Sequence, residues 1–406
     1  MQELELVRAE ILARLTPLDS ETIELDAAMG RVLATSVRAS ESLPPFANSS
    51  MDGFALRSAD VQSARPDAPV RLAVVATIEA GRAQVPTVGA QQAARIFTGA
   101  PLPACADAVL PFEHAQNFSD RHVEVATRVA ALHNVRVAGE ECRSGEIVFA
   151  AGTMLNPAAI GLLAALGAAR VTVMRRPRVA VHASGDELVA ITAPLGPGQI
   201  RNSNLSAICA RLVAWGAIPL ARPILRDTPE AVRAGFAATL ALKPDAIITT
   251  GGISAGDRDY IRDVARELGD DVQVRRVNMK PGKPLVDGKL GGVPYFGLPG
   301  NPAAALVSFE VFVRPALAQL ENRPDGMAPR VWARSHARQS LPRTDRPQFL
   351  RARVAIDATR GDYVLEPFGA QGSHLLGSFA HANCLVRVAA QRDALEPDEK
   401  VEVWLL

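Results

Sequence analysis

Residues 245–260 decide the fold, and they read Asp245-Ala-Ile-Ile-Thr-Thr-Gly-Gly-Ile-Ser-Ala-Gly-Asp-Arg-Asp-Tyr260. The apolar, β-branched run at 246–249 predicts a buried strand. The glycines that follow let the backbone turn sharply and let successive N–H groups point at an anion. An apolar stripe over 257–269 then predicts a helix. A strand, a glycine loop and a helix N-terminus together predict an anion site at the carboxyl edge of a parallel sheet.

The glycine loop is close to a phosphate-binding P-loop in spacing but not in chemistry. Gly251 and Gly256 have the right separation, whereas Asp257 and Arg258 stand where that loop needs Lys and Ser or Thr. A standard nucleotide-hydrolase loop is therefore excluded. Asp257 and Asp259 instead offer hard oxygen ligands beside the phosphate site, which suits Mg²⁺ shared with substrate phosphates. The alternative is that Asp257 caps the helix and Asp259 only favours its positive end.

Two more signatures follow, NMKPGKP at 278–284 and FGLPGNP at 296–302. Lys280 and Lys283 flank a Pro-Gly turn after a strand predicted at 272–277, where they can hold an oxyanion or be merely solvated. A strand at 293–296 leads through the second signature into a helix predicted at 303–320. Asn301 is the predicted N-cap of that helix and Pro302 its first residue.

The composition is that of an ordinary globular protein, with 48% hydrophobic and 21% charged residues in 406. That length predicts about two to four domains. A net charge of +1 indicates no nucleic-acid or membrane partner, and the apolar runs are broken short of a membrane span. The cysteines form no CxxC pair and the acidic start has no signal-peptide core. We therefore expect reduced thiols and a cytoplasmic location.

The pattern along the chain predicts an α/β multidomain protein. Residues 1–44 and 140–177 form an elongated, discontinuous N-terminal linker domain, and residues 45–139 form a small β-rich domain. Strand–helix alternation over 178–326 predicts a doubly wound three-layer α/β domain with right-handed connections. Short strands over 327–406 predict a C-terminal β domain, either a small barrel or a sandwich.

Further polar residues stand where predicted strands end. Glu187 follows the strand at 179–183, at the edge where α/β domains bind ligands. Asp227 ends the strand at 218–225, and it is either a site residue or only a cap for the next helix. Asn202 and Asn204 are candidate caps or ligand amides. Arg351 and the Gln-Gly-Ser-His turn at 371–374 can bind an oxyanion, although on their own they are more typical of a surface.

The stretches TTGGISAGDRDY (249–260), NMKPGKP and FGLPGNP closely resemble the molybdopterin molybdenumtransferase family, to which the C-terminal domain of gephyrin is similar. The resemblance continues, in family order, through LPPFANSSMDGFAL at 43–56, ARIFTGAPLP at 94–103 and GEECRSGE at 139–146. In the last of these, Glu141 replaces a family Asp and Cys142 replaces an apolar residue. The resemblance therefore covers nearly the whole chain. It departs from the family at that stretch and at Ser184, where the family more often has Thr.

The resemblance implies the last step of molybdenum-cofactor synthesis. Adenylylated molybdopterin is the substrate, its adenylyl group is cleaved off with Mg²⁺, and molybdate joins the dithiolene. It also makes residues 178–326 the molybdopterin-binding domain. Residues and resemblance together give three expected sets: catalytic Asp52, Glu187, Asp259, Lys280 and Lys283; ligand-binding Ser50, Thr98, Gly251, Gly252, Ser254, Gly256, Pro284, Arg351 and Ser373; and metal-binding Glu187, Asp227, Asp257 and Asp259.

The resemblance further implies a homodimer whose site is shared, with the α/β domain of one subunit facing the Ser-Met-Asp-Gly loop of the other. The upstream molybdopterin adenylyltransferase is a candidate protein partner. One alternative function is a non-catalytic, gephyrin-like scaffold, although a scaffold would not need its carboxylates and lysines kept together. Another is a molybdopterin adenylyltransferase-like enzyme, which resembles the α/β domain alone. A paralogue that uses tungstate is a third, because the two oxyanions are nearly alike in charge and size.

Overall fold

The computed structural model describes residues 1–81, 85–253, 259–323, 326–341, 343–367 and 369–406. Short 3₁₀ turns lie at Leu25–Ala27, Ser58–Val61 and Phe112–His114. The α-helices are α1 (Leu4–Ala13), α2 (Pro157–Ala165), α3 (Ser203–Trp215), α4 (Pro229–Leu240), α5 (Tyr260–Leu268), α6 (Pro302–Ser308), α7 (Arg314–Leu320) and α8 (Leu376–Ala380), with a π-helical turn at Phe309–Val313 joining α6 to α7.

The strands alternate with these helices only in the middle of the chain. They are β1 (Ser20–Glu24), β2 (Val37–Arg38), β3 (Asn48–Ser49), β4 (Gly53–Leu56), β5 (Val70–Ile78), β6 (Gln92–Ile96), β7 (Ala108–Pro111), β8 (Ala115–Gln116), β9 (His122–Val125), β10 (Val135–Arg136), β11 (Ile147–Phe149), β12 (Arg170–Met174), β13 (Arg178–Ala183), β14 (Leu188–Val189), β15 (Ile200–Arg201), β16 (Ile218–Ala221), β17 (Ala246–Thr250), β18 (Gly269–Arg276), β19 (Pro284–Leu290), β20 (Val293–Leu298), β21 (Arg330–Ser335), β22 (Gln339–Ser340), β23 (Gln348–Ile356), β24 (Tyr363–Pro367), β25 (Cys384–Val388), β26 (Ala394–Leu395) and β27 (Lys400–Leu405).

The central sheet has the order β16-β13-β17-β20-β19-β18 and helices on both faces. Its first four strands are parallel, which confirms the α/β prediction. Alternate residues of a strand point to opposite faces. Ile248 of β17 accordingly packs in the core that contains α3, and Ile247 packs in the core that contains α4 and α5. Because β17 buries apolar side chains on both faces, helices cover the sheet on both sides, which gives the three layers of helix, sheet and helix.

Strands β18 and β19 form an antiparallel hairpin at one edge of the central sheet. The sequence pattern predicted β18 but missed β19. The reason is Asp287, which interrupts the apolar run of β19 and is yet only 1% exposed. Its carboxylate is paired with the guanidinium groups of Arg275 and Arg14, so the buried charge is neutralised.

The chain on either side of the central sheet forms separate cores. Residues from 25–33 and from 155–173 share one apolar cluster, although more than a hundred positions separate them. A six-stranded sheet of order β7-β4-β6-β5-β9-β8 follows the first of these segments. Strands β21-β24-β23-β25-β27 close into a barrel around a core of their own. The barrel is thus confirmed over the sandwich, and the four-domain boundaries stay a prediction.

The segment Pro302–Leu320 is long and apolar enough to cross a membrane by length and composition. Its length differs from the expectation that every apolar run is too short to span a membrane. However, 89% of its most apolar 18 residues are buried within the protein. Glu310 and Arg314 within it form an ion pair at 3.2 Å. The segment is packed as the core helix of the α/β unit.

Candidate functional site

A cavity of about 1120 Å³ lies between the carboxyl edge of the central sheet and the barrel. The ends of β13, β17 and β20 form one wall, because parallel strands bring their carboxyl ends to one edge. The loop at 277–283, which we call the lysine loop, and the start of β23 form the other. The predicted site residues that line the cavity are Glu187, Asp227, Gly251, Gly252, Asp259, Lys280, Lys283, Pro284, Arg351 and Ser373.

Asp227 is held in place by the end of β13. The hydroxyl of Ser184 donates to its Oδ1 at 2.6 Å, and the backbone N–H of Asp186 donates to its Oδ2 at 3.3 Å. The cap of α4 is Thr228, whose Oγ1 accepts from the N–H of Ala231. Asp227 is therefore not the helix cap, and its carboxylate is oriented at the cavity wall.

Glu187 and Asp259 complete the acidic wall, the former exposed and the latter half-buried. Asp259 takes the N-cap position of α5 without a capping hydrogen bond from its side chain. Within the described part of the chain, no three His, Cys, Asp or Glu side chains gather as a metal site. Mg²⁺ is commonly held by only one or two carboxylates together with substrate phosphates. The acidic wall fits that mode of binding and not an all-protein cage.

The glycine turn after β17 needs its glycines. Gly251 and Gly252 have φ values of +88° and +65°, and a Cβ on Gly251 would lie 2.6 Å from the carbonyl oxygen of Ser184. The N–H of Gly251 donates to Leu298 O at 3.1 Å, so this group continues the pairing of β17 with β20 and does not face an anion. Ser254, Gly256 and Asp257, also predicted for this site, lie outside the described residues.

The lysine loop is attached to the barrel by its backbone. Lys280 N donates to Pro347 O at 2.9 Å, and Phe349 N donates to Lys280 O at 2.7 Å. At the far end of the loop, Val277 N donates to Lys283 O at 2.8 Å. Both lysines line the cavity, and the residues of the barrel determine where they lie. Their role in holding an oxyanion stays a prediction.

Arg351 is completely buried and lines the same cavity as the lysines, so the interpretation of Arg351 as a surface residue is wrong. Its Nε donates to Ser378 Oγ at 3.1 Å and its Nη2 to Gly372 O at 2.9 Å. Its Nη1 has no partner among the described residues. Burial lowers the pKa of Arg351 to about 10. A buried guanidinium with neutral acceptors and an unpaired N–H fits an anionic ligand.

Ser373 connects the barrel to the turn before α6. Its Oγ accepts from Asn301 Nδ2 at 3.2 Å, and its carbonyl accepts from Ala303 N at 3.0 Å. Asn301 has the N-cap position of α6 but makes no capping hydrogen bond with its side chain. The predicted cap therefore serves as a link between the two halves of the cavity.

Ser50, Asp52 and Thr98 lie away from the cavity, at the end of the six-stranded sheet. The backbone N–H and the hydroxyl of Thr98 donate to Asp52 Oδ1 at 2.7 and 2.8 Å, and these bonds lower the pKa of that exposed carboxyl. Gly53 follows directly, and a Cβ there would lie 2.0 Å from Leu110 O. The three residues form a second polar group on the same chain.

Sequence reasoning missed some cavity residues and left others undecided. Asn202 caps α3 with Oδ1 while its buried Nδ2 has no partner among the described residues, and Asn204 Nδ2 donates to Gly300 O. Both therefore act as structural links and line the cavity. Arg346 and Gln348 also line it, and neither belongs to a recognisable motif. Their only signal was their nearness in sequence to Arg351.

An acidic edge of an α/β domain facing buried and half-buried cations is typical of the class of proteins that bind polyanionic small molecules, often with a divalent cation. Comparison with known proteins narrows that class. Family models match residues 2–167 (MoeA N-terminal region, domain I and II), 180–319 (probable molybdopterin binding domain) and 336–406 (MoeA C-terminal region, domain IV).

Named relatives agree with the family models. The chain is 38% identical to molybdopterin molybdenumtransferase 2 of Mycobacterium tuberculosis, covering 100% of this chain and 98% of the relative. It is 33% identical to the molybdopterin molybdenumtransferase of Bacillus subtilis, over 96% and 90%. A molybdopterin biosynthesis moea protein from Pyrococcus horikosii has 29% identity and a TM-score of 0.83, over 100% and 99%. The chain belongs to the molybdopterin molybdenumtransferase family, and it is a transferase of molybdenum-cofactor biosynthesis.

Proposed function

We propose that the cavity binds adenylylated molybdopterin and molybdate, cleaves the adenylyl group with Mg²⁺, and joins molybdenum to the dithiolene. The observation that carries the proposal is Arg351. It is a fully buried cation whose Nη1 has no partner in the part of the chain that the structure describes, and it lies in a cavity that two lysines also line. Such a group is stabilised when a ligand supplies the missing negative charge.

The cationic wall supports the binding of molybdate. Lys280 and Lys283 supply mobile point charges, and Arg351 supplies a fixed planar donor. The Gly-Ser turn at 372–373 brings a hydroxyl to the same end of the cavity. These groups neutralise and orient a tetrahedral dianion without a redox-active protein ligand. Tungstate has the same charge and shape, and the proposal does not distinguish the two.

The acidic wall supports the binding of the phosphate bridge through Mg²⁺. Asp227, oriented by Ser184, and Glu187 or Asp259 would hold the ion. When bound, Mg²⁺ neutralises the phosphate oxygens and so makes the adenylyl phosphate easier to cleave. The remaining work of this chain is to hold phosphate and molybdate in adjacent positions in one cavity, which is catalysis by positioning.

The polar group at Asp52 belongs to the proposal through a second copy of the chain. Asp52 lies outside the cavity of its own subunit, and an isologous homodimer would let it face the cavity of the other. A cytoplasmic location and contact with the upstream adenylyltransferase are part of the same proposal, supported by the family membership.

The test is ligand binding by the cationic wall. We expect molybdate to raise the melting temperature of the protein, and Arg351→Met and Lys280→Met each to weaken molybdate binding at least about tenfold. Arg353→Met, at an exposed position on the same strand, is the matched control and keeps the affinity. Equal molybdate binding by all four proteins would contradict the proposal.

A further inference from the structure

The lysine loop is bonded to the segment that leads into strand β23 and to the first residues of that strand. Three consecutive hydrogen bonds join them: Arg346 Nη1 to Met279 O at 3.0 Å, Lys280 N to Pro347 O at 2.9 Å, and Phe349 N to Lys280 O at 2.7 Å. Two of these bonds join backbone to backbone. The third comes from the side chain of Arg346, so this contact can be altered by substitution without removing a backbone group.

Arg346 lies at the cavity and not on the outer surface of the barrel. It is one of the lining residues, and its side chain is 21% exposed. Its Nε approaches the exposed Asp345 carboxylate at 3.4 Å, a distance and exposure at which an ion pair contributes little. The hydroxyl of Thr344 donates to the Arg346 carbonyl at 2.7 Å, which fixes the backbone from which the side chain extends.

The target of Arg346 is a rigid point of the loop. The Met279 side chain is fully buried in the main core, and Met279 N donates to Val277 O at 2.9 Å. A guanidinium that holds the carbonyl of Met279 therefore fixes the peptide directly before Lys280. The Lys280 ammonium is carried on a flexible four-carbon stem, and a fixed backbone is what limits the volume it can sample.

We propose that Arg346 is a positioning residue for the oxyanion: it holds the Met279 carbonyl, so that Lys280 points at the molybdate, and it adds positive charge to the same wall. This inference rests on the proposed function, because it takes Lys280 as a molybdate-binding group. It assigns Arg346 no contact with the reacting atoms. Its effect is therefore on molybdate and not on the phosphate bridge at the acidic wall.

The experiment measures molybdate affinity by calorimetry, and KM for molybdate and for adenylylated molybdopterin separately. The variants are Arg346→Gln, Arg346→Lys, Lys280→Met and the Arg346→Gln/Lys280→Met double variant. Arg343→Gln is the control, because Arg343 is exposed, bonds Gln391 at 3.1 Å, and does not line the cavity. Melting temperatures verify that every variant is folded.

Arg346→Gln is expected to weaken molybdate binding about tenfold, the size of one charge-assisted hydrogen bond, while KM for adenylylated molybdopterin changes less than about twofold. Arg346→Lys keeps the positive charge but lacks the planar guanidinium that reaches the Met279 carbonyl. Its molybdate affinity is therefore expected to lie between those of wild type and Arg346→Gln. The double variant is expected to lose less affinity than the two single losses added together, because the positioning of an absent ammonium has no value and only the charge of Arg346 remains to be lost.

Three results would overturn the inference. Equal molybdate affinity in Arg346→Gln and Arg343→Gln would remove the role of Arg346 while leaving the proposed function intact, provided that Lys280→Met binds weakly. Additive losses in the double variant would show that Arg346 acts independently of Lys280. Full affinity in Lys280→Met as well would contradict the proposed function itself.

Discussion

The Ser184 hydroxyl donates a 2.6 Å hydrogen bond to Oδ1 of Asp227, which joins the ends of two neighbouring strand segments of the central sheet. Ser184 is 7% exposed and follows β13, whereas Asp227 follows the segment of β16. The backbone N–H of Asp186 donates to the other oxygen, Oδ2, at 3.3 Å, and Asp227 lines the cavity. In catalytic metal sites the ligands are typically oriented by such partners, which agrees with the proposal that Asp227 holds Mg²⁺.

Loss of this bond should weaken the proposed Mg²⁺ site without removing one of its proposed ligands. Ser184→Ala is expected to raise the Mg²⁺ concentration needed for half-maximal activity about tenfold, because supporting groups contribute roughly 10- to 100-fold to metal affinity. Ser184→Thr keeps the hydroxyl and should stay near wild type. Activity measured against Mg²⁺ concentration gives the answer, and an identical Mg²⁺ requirement in all three proteins would separate Asp227 from the metal.

Asp52 and Lys280 should complement each other across subunits. Asp52→Asn and Lys280→Met are each expected to be nearly inactive as homodimers. In a mixed dimer, one cavity receives intact Lys280 from its own chain and intact Asp52 from the other. After unfolding and refolding of an equal mixture, about a quarter of wild-type activity should return.

The control for complementation is a mixture of Lys280→Met with Lys283→Met. Both substitutions lie in the same wall of the same cavity, so each cavity of a mixed dimer keeps a defect and activity should stay low. Equal, low activity in the two mixtures would place Asp52 outside a shared site.

Glu321 should make the stability of the fold depend on pH. It is 6% exposed, and burial raises its pKa to about 7, although the charge of Arg323 opposes the shift. Between the ordinary value of 4.5 and about 7, the folded state binds more proton than the unfolded state. The free energy of unfolding that this group contributes is therefore highest below pH 4.5 and falls as the pH rises to 7.

Glu321→Gln should remove this dependence. The variant is expected to be more stable than wild type at pH 8, by as much as about 3 kcal/mol. Near pH 4.5 the two should be alike. Glu41→Gln, at an exposed position, should follow the wild-type curve. Urea unfolding at pH 4.5, 6 and 8 measures the difference, and parallel curves for wild type and Glu321→Gln would exclude a buried, titrating Glu321.

Much of the α/β domain follows from local pattern. An apolar run such as 246–249 can be satisfied only by burial on both sides, and the glycines after it fit only a turn with positive φ. The strand β19 could not be read in this way. Its buried Asp287 is neutralised by Arg275 of the neighbouring strand and by Arg14 at the end of helix α1, nearly three hundred residues earlier. No local rule contains the second of these partners.

The site residues also fall into those that the local sequence predicts and those that depend on long-range contacts. The motifs place Glu187, Asp227 and the lysines at strand ends, and parallel strand ends must meet. Arg351 lies on a barrel strand, and its burial depends on how the barrel closes against the central sheet. Asn301 is a case in which the local pattern predicted a contact that does not form. The residue has the N-cap position of α6, but its side chain donates to Ser373 and makes no capping hydrogen bond. Long-range contacts of this kind are not encoded in spacing.

The most direct test is AMP release in a single turnover. Purified protein is mixed with adenylylated molybdopterin and Mg²⁺, with and without molybdate, and AMP and active cofactor are followed in time. Asp259→Asn is the test variant, and Asp263→Asn, on the first turn of the same helix and outside the cavity wall, is its matched control. The account predicts molybdate-dependent AMP release in wild type and Asp263→Asn, and a loss of about a hundredfold or more in Asp259→Asn. If all three proteins bind the substrate and none of them releases AMP, the account is contradicted.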